Sequence, residues 1–489
     1  MGGTGFKEHG TQRILRDDDI VFTSKDQSNP ANGFMGYGGA LTLVNGSPFE
    51  WTLSSQTSYQ MDTWKWPNVL AGRAERVYVE FGTSWFAKDD AGEAYYDVAE
   101  TSETFSILAK KPKAYDLTIS LTNMATTQSP KGSKVGLGFR HDAAVNWIMS
   151  TDEAGQWWSN SGATLKHICM PGSHDAGMGT FSPGTVGAHF ANTQTQYLDF
   201  KGQLIGGSRY FDLRPVLSGG KWVAGHYSGL KVGEDDVWVG GNGQPVDDII
   251  QQVNDFTAEY QELIIINLSH TLDTDSDYKD LNQDQWNSLF DKLKGINNRY
   301  TVNNPGDTDF STKVLGDFIT DRASVFVVAQ LPSGIELGDY AKQGFFASNS
   351  FPFYDSYSNS NDLASMRDDQ LKKLKDERNI TTDSARRKDK FHILSWTLTQ
   401  QPEDVLNLDR AILNLNAAAF DDLVEKAWNA FTPESFPNVL FVDALGIRDK
   451  SVVFPFDKPR EVPLNNDIAA LAIAVNNGMA GRNKVVTGR

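Results

Sequence analysis

Two patterns of hydrophobic and polar positions divide the chain. Roughly the first 125 residues contain short runs of β-branched and aromatic residues, separated by Gly, Pro, Asn and Asp turns. Evenly spaced strands without helical patterns between them are typical of an antiparallel sandwich. The runs are ALTLVNGS, FEWTLSS, ERVYVEFG, EAYYDVA, TFSILAK and YDLTISLT. This pattern predicts an all-β, sandwich-like N-terminal domain over residues 1–134, ending in a linker rich in Ser, Thr, Pro and Gly.

From about residue 160 the pattern changes, because apolar strands now alternate with longer helical stretches. The predicted strands are LKHICM, SRYFDLR, KWVAGHY, ELIIINLSH, SVFVVAQ, FHILSWTLT and NVLFVDALG, with a weaker candidate at GFFASNSF. Helices are predicted over VDDIIQQVNDFTAEY, whose apolar residues share one helical face, and over NNDIAALAIAVNNG. Parallel strands need crossover connections of this kind. Residues 135–489 are therefore predicted to form an α/β TIM-type (β/α)8 barrel.

The charge and composition exclude several classes of partner. The chain has 45 basic and 62 acidic side chains, a formal net charge of −17. Such a charge repels nucleic acid and gives no bulk attraction to anionic lipid. No run approaches the roughly 18 uninterrupted apolar residues of a membrane span. We expect a monomer without a nucleic-acid partner, whose contact with a membrane surface is local and transient.

The compartment stays open. The N-terminal sequence MGGTGFKEHGTQRILRDDD lacks the apolar core of an export signal, but a processed secreted chain would begin in the same way. The single cysteine, Cys169, excludes an internal disulfide and a cysteine-based metal cluster. We expect Cys169 to be a small buried apolar residue.

Side chains capable of proton transfer follow the predicted barrel strands. His174 and Asp175 end the first strand, Asp212 and Arg214 lie two residues apart on one face of the second, and His226 ends the third. Later strands end in His270, in Thr397 and Thr399, and in Asp443. Because the carboxyl ends of parallel barrel strands meet on one face, we expect these side chains on one rim.

Two imidazoles, several carboxylates and one guanidinium meet the needs of phosphodiester cleavage without a metal. One imidazole takes a proton from the attacking hydroxyl, and the other gives a proton to the leaving oxygen. The guanidinium supplies forked donors to the phosphate oxygens. Taken singly, a histidine at a strand end is more often structural, and the FDLR segment is equally typical of an ion pair between strands. Their order on successive strands favours catalysis.

The same segments resemble a known family. MPGSHDAG, followed by RYFDLR and by His226, resembles the X-region of the phosphatidylinositol-specific phospholipase C family, in its bacterial-type, calcium-independent branch. ELIIINLS, YDSYSNSNDL, FHILSWTLT and NVLFVDALG also resemble segments of this family, so the resemblance covers roughly residues 160–450. It implies a phospholipid substrate, phosphatidylinositol, cleaved to diacylglycerol and inositol 1,2-cyclic phosphate.

The resemblance also implies the proton-transfer roles. His174 would be the general base that removes the proton of the inositol 2-hydroxyl, with Asp443 orienting it. His226 would be the general acid that protonates the diacylglycerol oxygen, assisted by Asp175. Since the nucleophile belongs to the substrate, the attack is intramolecular and gains from proximity.

The phosphate site would contain Arg214, supported by Asp212. Calcium-dependent relatives keep an acidic residue where this chain has Arg214, whose positive charge repels calcium. Asp175 is a carboxylate that calcium can use, so the argument against calcium depends on Arg214. We expect neither a metal nor another cofactor.

The residues matched to head-group contacts agree with the family only in part. Asp355 and Tyr357 match its Asp-x-Tyr inositol contacts. His270 stands where the family has a lysine, and Gln330 where it has an arginine. Tyr227 follows His226 where a glycine is common. We expect His270, Gln330, Asp355 and Tyr357 to bind substrate, with phosphatidylinositol, a glycosylated or otherwise modified form, or another phosphodiester as the alternatives.

Two other functional classes stay open. A metal-dependent glycerophosphodiesterase or sphingomyelinase-D-like enzyme shares the barrel and the paired histidines, but it needs a carboxylate cluster for magnesium, which Arg214 disfavours. A non-catalytic barrel that binds lipid or glycan would keep the fold without turnover. Release of a soluble inositol phosphate in excess chelator distinguishes these possibilities.

Overall fold

The computed structural model describes a large part of the chain. The described residues are 20–24, 37–44, 50–70, 74–82, 90–100, 102, 104–110, 115–122, 146–149, 164–232, 235–303, 308–319, 322–380, 390–401, 403–404, 407, 410–446 and 467–476. They divide into two compact units. One unit consists of the described residues within 1–40, 49–68 and 77–126. The other consists of the described residues within 41–48, 69–76 and 127–489. The predicted domain boundary at residue 134 lies outside the described residues.

The first part of the chain is built from strands. Those described before residue 150 are β1 (Ile20–Ser24), β2 (Tyr37–Val44), β3 (Trp51–Tyr59), β4 (Met61–Thr63), β5 (Ala74–Phe81), β6 (Ala91–Val98), β7 (Thr104–Lys110), β8 (Tyr115–Thr122) and β9 (Asn146–Met149). An antiparallel sheet has the order β1, β8, β7, β6, β3, and β4 pairs antiparallel with β5.

One face of this antiparallel sheet is buried. Alternate residues of β6 are buried, as expected for a strand with one apolar face. Trp51 packs edge to face on Phe105 at 5.3 Å, and Tyr96 stacks on the same ring at 4.7 Å. The strands predicted in FEWTLSS, EAYYDVA, TFSILAK and YDLTISLT are confirmed. The packing of two sheets as a sandwich stays a prediction.

The second unit has a parallel sheet, a smaller sheet and the helices. Its strands after residue 150 are β10 (Met170–Ser173), β11 (Ser182–Pro183), β12 (Tyr210–Leu213), β13 (Pro215–Ser218), β14 (Lys221–Val232), β15 (Asp235–Pro245), β16 (Leu263–Leu268), β17 (Leu272–Asp273), β18 (Ser324–Ala329), β19 (Phe345–Ala347), β20 (Phe353–Tyr354), β21 (Phe391–Ser395) and β22 (Val439–Val442). The helices are α1 (Phe190–Thr193), α2 (Phe200–Ile205), α3 (Val246–Glu259), α4 (Gln283–Leu293), α5 (Leu363–Glu377), α6 (Ile412–Asp422), α7 (Trp428–Ala430) and α8 (Asp467–Val475).

The parallel sheet has eight strands in the order β19, β18, β16, β12, β10, β22, β21, β20. Neighbouring strands pair in parallel throughout. The sheet is curled into a half-barrel, with helices in its connections, and this arrangement is TIM-like. The predicted α/β class is therefore confirmed, as are the helices α3 and α8. Gly478, the glycine expected just past the end of the last helix, lies outside the described residues.

One predicted barrel strand is wrong. KWVAGHY belongs to β14, which pairs antiparallel with β13 and β15, whereas β12 pairs directly with β16. The cause is the turn between β13 and β14, where Gly219 and Gly220 have φ of 59° and 69°. Two glycines at positive φ are typical of a tight hairpin, so the chain turns back here rather than crossing over. The eighth position of the parallel sheet is taken by β20, which the pattern did not predict.

The start of the first barrel strand also differs from its prediction. Leu165–His167 form a 3-10 turn, so the strand predicted in LKHICM begins only at Met170. Cys169 is fully buried, as predicted, and burial raises the pKa of its thiol.

Both faces of the parallel sheet are buried, which explains its nearly continuous apolar strands. In β16, Ile264 and Ile266 pack in the cluster that contains buried residues of α3 and α4. Ile265 packs in a second cluster, with Phe326 and Phe441. Each fully buried side chain of this size contributes roughly 1.5–3 kcal/mol. This double layer holds the strand ends in place. Among the described helices, none has the length and apolar character needed to cross a membrane.

Candidate active site

The carboxyl ends of the parallel strands surround a cleft of about 360 Å³. All of the predicted site residues except Asp175 line it: His174, Asp212, Arg214, His226, His270, Gln330, Asp355, Tyr357 and Asp443. Asp175 is fully buried and lies in contact with the lining residues. Stretches of chain separated by as many as 269 residues therefore meet at one place.

His174 and Asp443 form the first pair of the site. They follow the neighbouring strands β10 and β22, and Nδ1 of His174 lies 2.6 Å from Oδ1 of Asp443. A carboxylate only accepts hydrogen bonds, so Nδ1–H of His174 is the donor. Burial disfavours the imidazolium, but the Asp443 carboxylate outweighs burial and raises the pKa of His174. The pair thus holds the ring in one orientation and favours its protonation.

Arg214 contacts the other ring nitrogen of His174. Its Nη2 lies 2.7 Å from Nε2. A guanidinium only donates, so Nε2 carries no proton in this arrangement. His174 therefore has the tautomer that a general base requires, with Nδ1 protonated toward Asp443 and Nε2 presenting a lone pair.

Two carboxyl groups hold the Arg214 guanidinium. Its Nε donates to Oδ2 of Asp212 at 3.0 Å, and its Nη1 lies 3.6 Å from Oδ2 of Asp175. Burial opposes ionisation of Asp212, but the positive charge of Arg214 outweighs burial and lowers the pKa of that carboxyl to about 2. Burial likewise opposes the charge on Arg214, yet Asp212 and Asp175 raise its pKa above the usual range. The guanidinium is permanently charged and aligned by its Nε contact.

His226 reaches the cleft on β14, outside the parallel sheet. Its Nδ1 lies 2.8 Å from the carbonyl oxygen of Thr193 and 3.6 Å from Oδ2 of Asp175. Because the carbonyl accepts, Nδ1–H is the donor and Nε2 has the lone pair. Burial and the nearby Arg214 cation lower the pKa of His226 to about 3. In this arrangement His226 is neutral.

Asp175 lies between Arg214 and His226. Its backbone has φ of 41°, and its N–H donates to Oδ2 of Asp212 at 3.2 Å. Among the described residues, neither of its carboxyl oxygens has a hydrogen-bond partner. Burial raises the pKa of Asp175 to about 7. This carboxyl therefore carries a proton part of the time near neutral pH, 3.6 Å from a histidine ring.

No family model and no curated protein matches this chain. Among solved structures, it is similar to a Bacteroides ovatus GH5 xyloglucanase in complex with a XXXG heptasaccharide. The identity is 10%, the match covers 90% of this chain and 97% of that chain, and the TM-score is 0.20. A likeness this low carries no argument about fold or function.

The predicted head-group residues lie on the wall of the same cleft. Burial, together with the negative charge of Asp212, raises the pKa of Asp355 to about 6. Tyr357 is 59% exposed at the mouth. Ser395 and Thr397 of the predicted strand FHILSWTLT line the cleft as well. This wall offers hydroxyl, amide and carboxyl groups.

Two contributors to the site were not predicted. Gln196 donates from Nε2 to the backbone carbonyls of His174 at 2.8 Å and Val442 at 3.2 Å, and so ties β10 to β22 beside the first pair. Ser269 donates its hydroxyl to Oδ1 of Asp212. Gln196 has no sequence signal, whereas Ser269 directly precedes a predicted site residue.

Carboxyl and imidazole groups are close together here, but they are not arranged as a metal site. Within the described ranges, no group of three or more His, Cys, Asp or Glu side chains is placed to hold a metal ion. The guanidinium of Arg214 occupies the space between the carboxyl groups of Asp175 and Asp212.

Proposed function

We propose that this chain is a phosphodiesterase similar to the phosphatidylinositol-specific phospholipases C, cleaving phosphatidylinositol to diacylglycerol and inositol 1,2-cyclic phosphate. One observation carries the proposal: Arg214 is linked to both histidines. It contacts Nε2 of His174 at 2.7 Å, and it shares the carboxyl of Asp175 with His226. A guanidinium linked to two imidazoles in this way matches a phosphorus atom that needs one base and one acid.

Phosphate binding and base activation are linked in this geometry. A phosphate oxygen is a stronger acceptor for Arg214 than a neutral imidazole, because it is charged. When Nη2 turns to the phosphate, Nε2 of His174 is released to take the proton of the attacking hydroxyl. The imidazolium that forms is stabilised by Asp443, which already accepts from Nδ1 at 2.6 Å.

Proton donation to the leaving oxygen belongs to His226 and Asp175. The positive charge of Arg214 lowers the pKa of His226, and a bound phosphodiester anion offsets that charge. Binding therefore raises the pKa of His226 toward neutrality. His226 then takes up a proton from solvent at Nε2, because its Nδ1–H already donates to the carbonyl of Thr193. Asp175, whose Oδ2 lies 3.6 Å from Nδ1, stabilises the imidazolium when it is ionised. The proton passes from Nε2 to the diacylglycerol oxygen as the bond of that oxygen to phosphorus breaks and the internal hydroxyl closes the cyclic phosphate.

The finer features of the architecture belong to the same proposal. The parallel sheet would close as a TIM-type (β/α)8 barrel, preceded by a sandwich domain over residues 1–134. The enzyme would act as a monomer, without metal or cofactor, through transient contact with a phospholipid surface.

The test is turnover of phosphatidylinositol in detergent micelles with excess chelator, followed by ³¹P NMR of the soluble product. We expect a five-membered cyclic phosphate, and we expect His174→Ala to slow its formation by at least about a hundredfold. Release only after addition of magnesium would instead indicate a metal-dependent phosphodiesterase. Binding of phosphatidylinositol without turnover, with other phosphodiesters also left intact, would indicate a binding barrel.

A further inference from the structure

Ser269 lies between two site residues just after β16. Its side chain is 2% exposed, and its hydroxyl donates to Oδ1 of Asp212. The same Oγ lies 2.9 Å from Nδ1 of His270. A hydroxyl has one proton and an ionised carboxylate has none, so the proton of Ser269 is used in the bond to Asp212. In the second contact Oγ is therefore the acceptor, and Nδ1–H of His270 is the donor.

This assignment determines what His270 presents to the cleft. With Nδ1 protonated, the remaining nitrogen of a neutral ring, Nε2, has a lone pair and no proton. Arg214, followed by burial, lowers the pKa of His270 to about 4, so the ring is neutral near pH 7. The backbone of His270 is in the left-handed region, with φ of 46°, which a non-glycine residue rarely adopts. Such strain is common where a side chain has a function.

We infer that Ser269 is a positioning residue that holds His270 as a neutral hydrogen-bond acceptor, and that His270 thereby binds a hydroxyl of a polyol head group. The inference rests on the proposed function, because it assigns the head group of that substrate. A lysine at this place would donate to an anion. A neutral Nε2 instead pairs with an O–H donor and disfavours the oxygens of a second phosphate.

Ser269 has a second effect, through Asp212. The hydroxyl contacts Oδ1, while Oδ2 of the same carboxylate accepts from Nε of Arg214 at 3.0 Å. Loss of Ser269 thus disturbs the phosphate site as well as His270. Loss of the His270 side chain removes the head-group contact and the bond to Ser269, but the bond from Ser269 to Asp212 remains. The two variants are therefore expected to differ across substrates.

The first experiment reads the tautomer of His270 from imidazole ¹⁵N chemical shifts at about pH 7. We expect Nδ1–H in the wild type and in Ser269→Thr, which keeps the hydroxyl, and a mixture of tautomers in Ser269→Ala. The matched control is Ser311→Ala, since Ser311 also donates to an aspartate, Asp309, at 2.6 Å but does not line the cleft. A wild-type ring protonated at Nε2, or an unchanged ring in Ser269→Ala, overturns the inference.

The second experiment compares two substrates. Phosphatidylinositol has a polyol head group, whereas 2-hydroxypropyl 4-nitrophenyl phosphate has only an internal hydroxyl. A neutral hydrogen bond is worth about 0.5–1.5 kcal/mol, so His270→Ala is expected to lower kcat/KM for phosphatidylinositol roughly three- to tenfold more than for the minimal substrate. Ser269→Ala is expected to slow both. Equal losses on the two substrates in His270→Ala overturn the head-group assignment and leave the proposed phosphodiesterase intact.

A third outcome separates the inference from the proposed function. If the wild type cleaves neither substrate, the proposed function fails, and titration with myo-inositol then decides the inference. A shift of the Nε2 resonance of His270 on titration, lost in Ser269→Ala but kept in Ser269→Thr, supports it. No shift in the wild type overturns it.

Discussion

Nη2 of Arg214 lies 2.7 Å from Nε2 of His174, so the residue proposed to bind phosphate also contacts the nitrogen proposed to take a proton. One donor cannot serve both acceptors equally well. Under the proposed function, a phosphate that attracts the guanidinium would therefore free Nε2 of His174 when it has to take the proton. Three carboxyl groups hold these two side chains, because Asp443 contacts His174 while Asp212 and Asp175 contact Arg214.

Removal of either imidazole tests the acid–base pair. His174→Ala and His226→Ala are each expected to lower turnover of phosphatidylinositol by at least about a hundredfold, because each removes a proton-transfer group. Steady-state kinetics in chelator measures the loss. His167→Ala is the matched control, since His167 lies before β10 and contacts Thr164 rather than the cleft. A near-wild-type rate in either of the first two variants contradicts the role given to that histidine.

Arg214→Lys tests the forked contact. A lysine keeps the charge but offers a single point donor, so it cannot contact phosphate, Asp212 and His174 in the same geometry. Hydrogen bonds to charged groups contribute about 1.5–3 kcal/mol, and kcat/KM is expected to fall roughly ten- to hundredfold. Arg299→Lys is a suitable comparison, because Arg299 donates to the backbone carbonyl of Gln343 at 3.1 Å, away from the cleft. Equal kinetics in the two variants would argue against a specific role for Arg214.

Asp175→Asn tests the buried carboxyl through stability. Its pKa is raised to about 7, so between about pH 4 and 7 the folded state keeps a proton that the unfolded state has released. Stability from this group is complete below about pH 4 and is lost as the pH rises through 7. Asparagine stays neutral at every pH. The free energy of unfolding of Asp175→Asn, minus that of the wild type, is therefore expected to increase between about pH 4 and 7 and then to level off. Urea denaturation at several pH values measures the difference.

The opposite sign is expected at Asp273, which provides the control. This carboxylate is buried, and although burial opposes its ionisation, hydrogen bonds from Ser276, Gln285 and Asp275 lower its pKa. Asp273→Asn is therefore expected to be less stable than wild type at neutral pH and to lose that difference in acid. A fall in stability at Asp175→Asn that matches Asp273→Asn would contradict the raised pKa.

Gly240→Ala tests the placement of His226. A Cβ at Gly240 would lie 2.2 Å from the backbone oxygen of His226 and 2.6 Å from Cα of Tyr227, so β14 must shift. The variant is expected to lower kcat more than tenfold, roughly the effect of a displacement near 1 Å at a reacting group. Gly229→Ala, in the same hairpin, meets nothing closer than 3.7 Å and should retain its rate. Circular dichroism checks that both variants fold.

Much of the site was predictable because its residues end strands with strong patterns. The apolar run before Ser269 identified β16, and the two-residue spacing of Asp212 and Arg214 placed both on one face. The hairpin was missed although two signals pointed to it. KWVAGHY mixes polar with apolar residues, unlike the nearly continuous apolar strands of the parallel sheet, and the glycine pair at 219 and 220 precedes it. The strand β20 (Phe353–Tyr354) is too short to show any period.

The protonation states in the site could not be predicted from the sequence. The raised pKa of Asp175 depends on complete burial. The tautomer of His270 depends on the hydroxyl of Ser269, whose proton is used in the bond to Asp212. Neither property follows from residue type or spacing. Gln196 is a similar case, since it acts on His174 only through backbone carbonyls brought together by the parallel sheet.

The two histidines of the cleft belong to different sheets. His174 follows β10 of the eight-stranded parallel sheet, whereas His226 lies on β14, in a five-stranded sheet with the order β11, β15, β14, β13, β17. Changes in the β14–β15 hairpin can therefore move His226 while His174, Asp443 and Arg214 keep their places. Under the proposed function, such changes are expected to alter proton donation to the leaving oxygen and to leave proton removal intact.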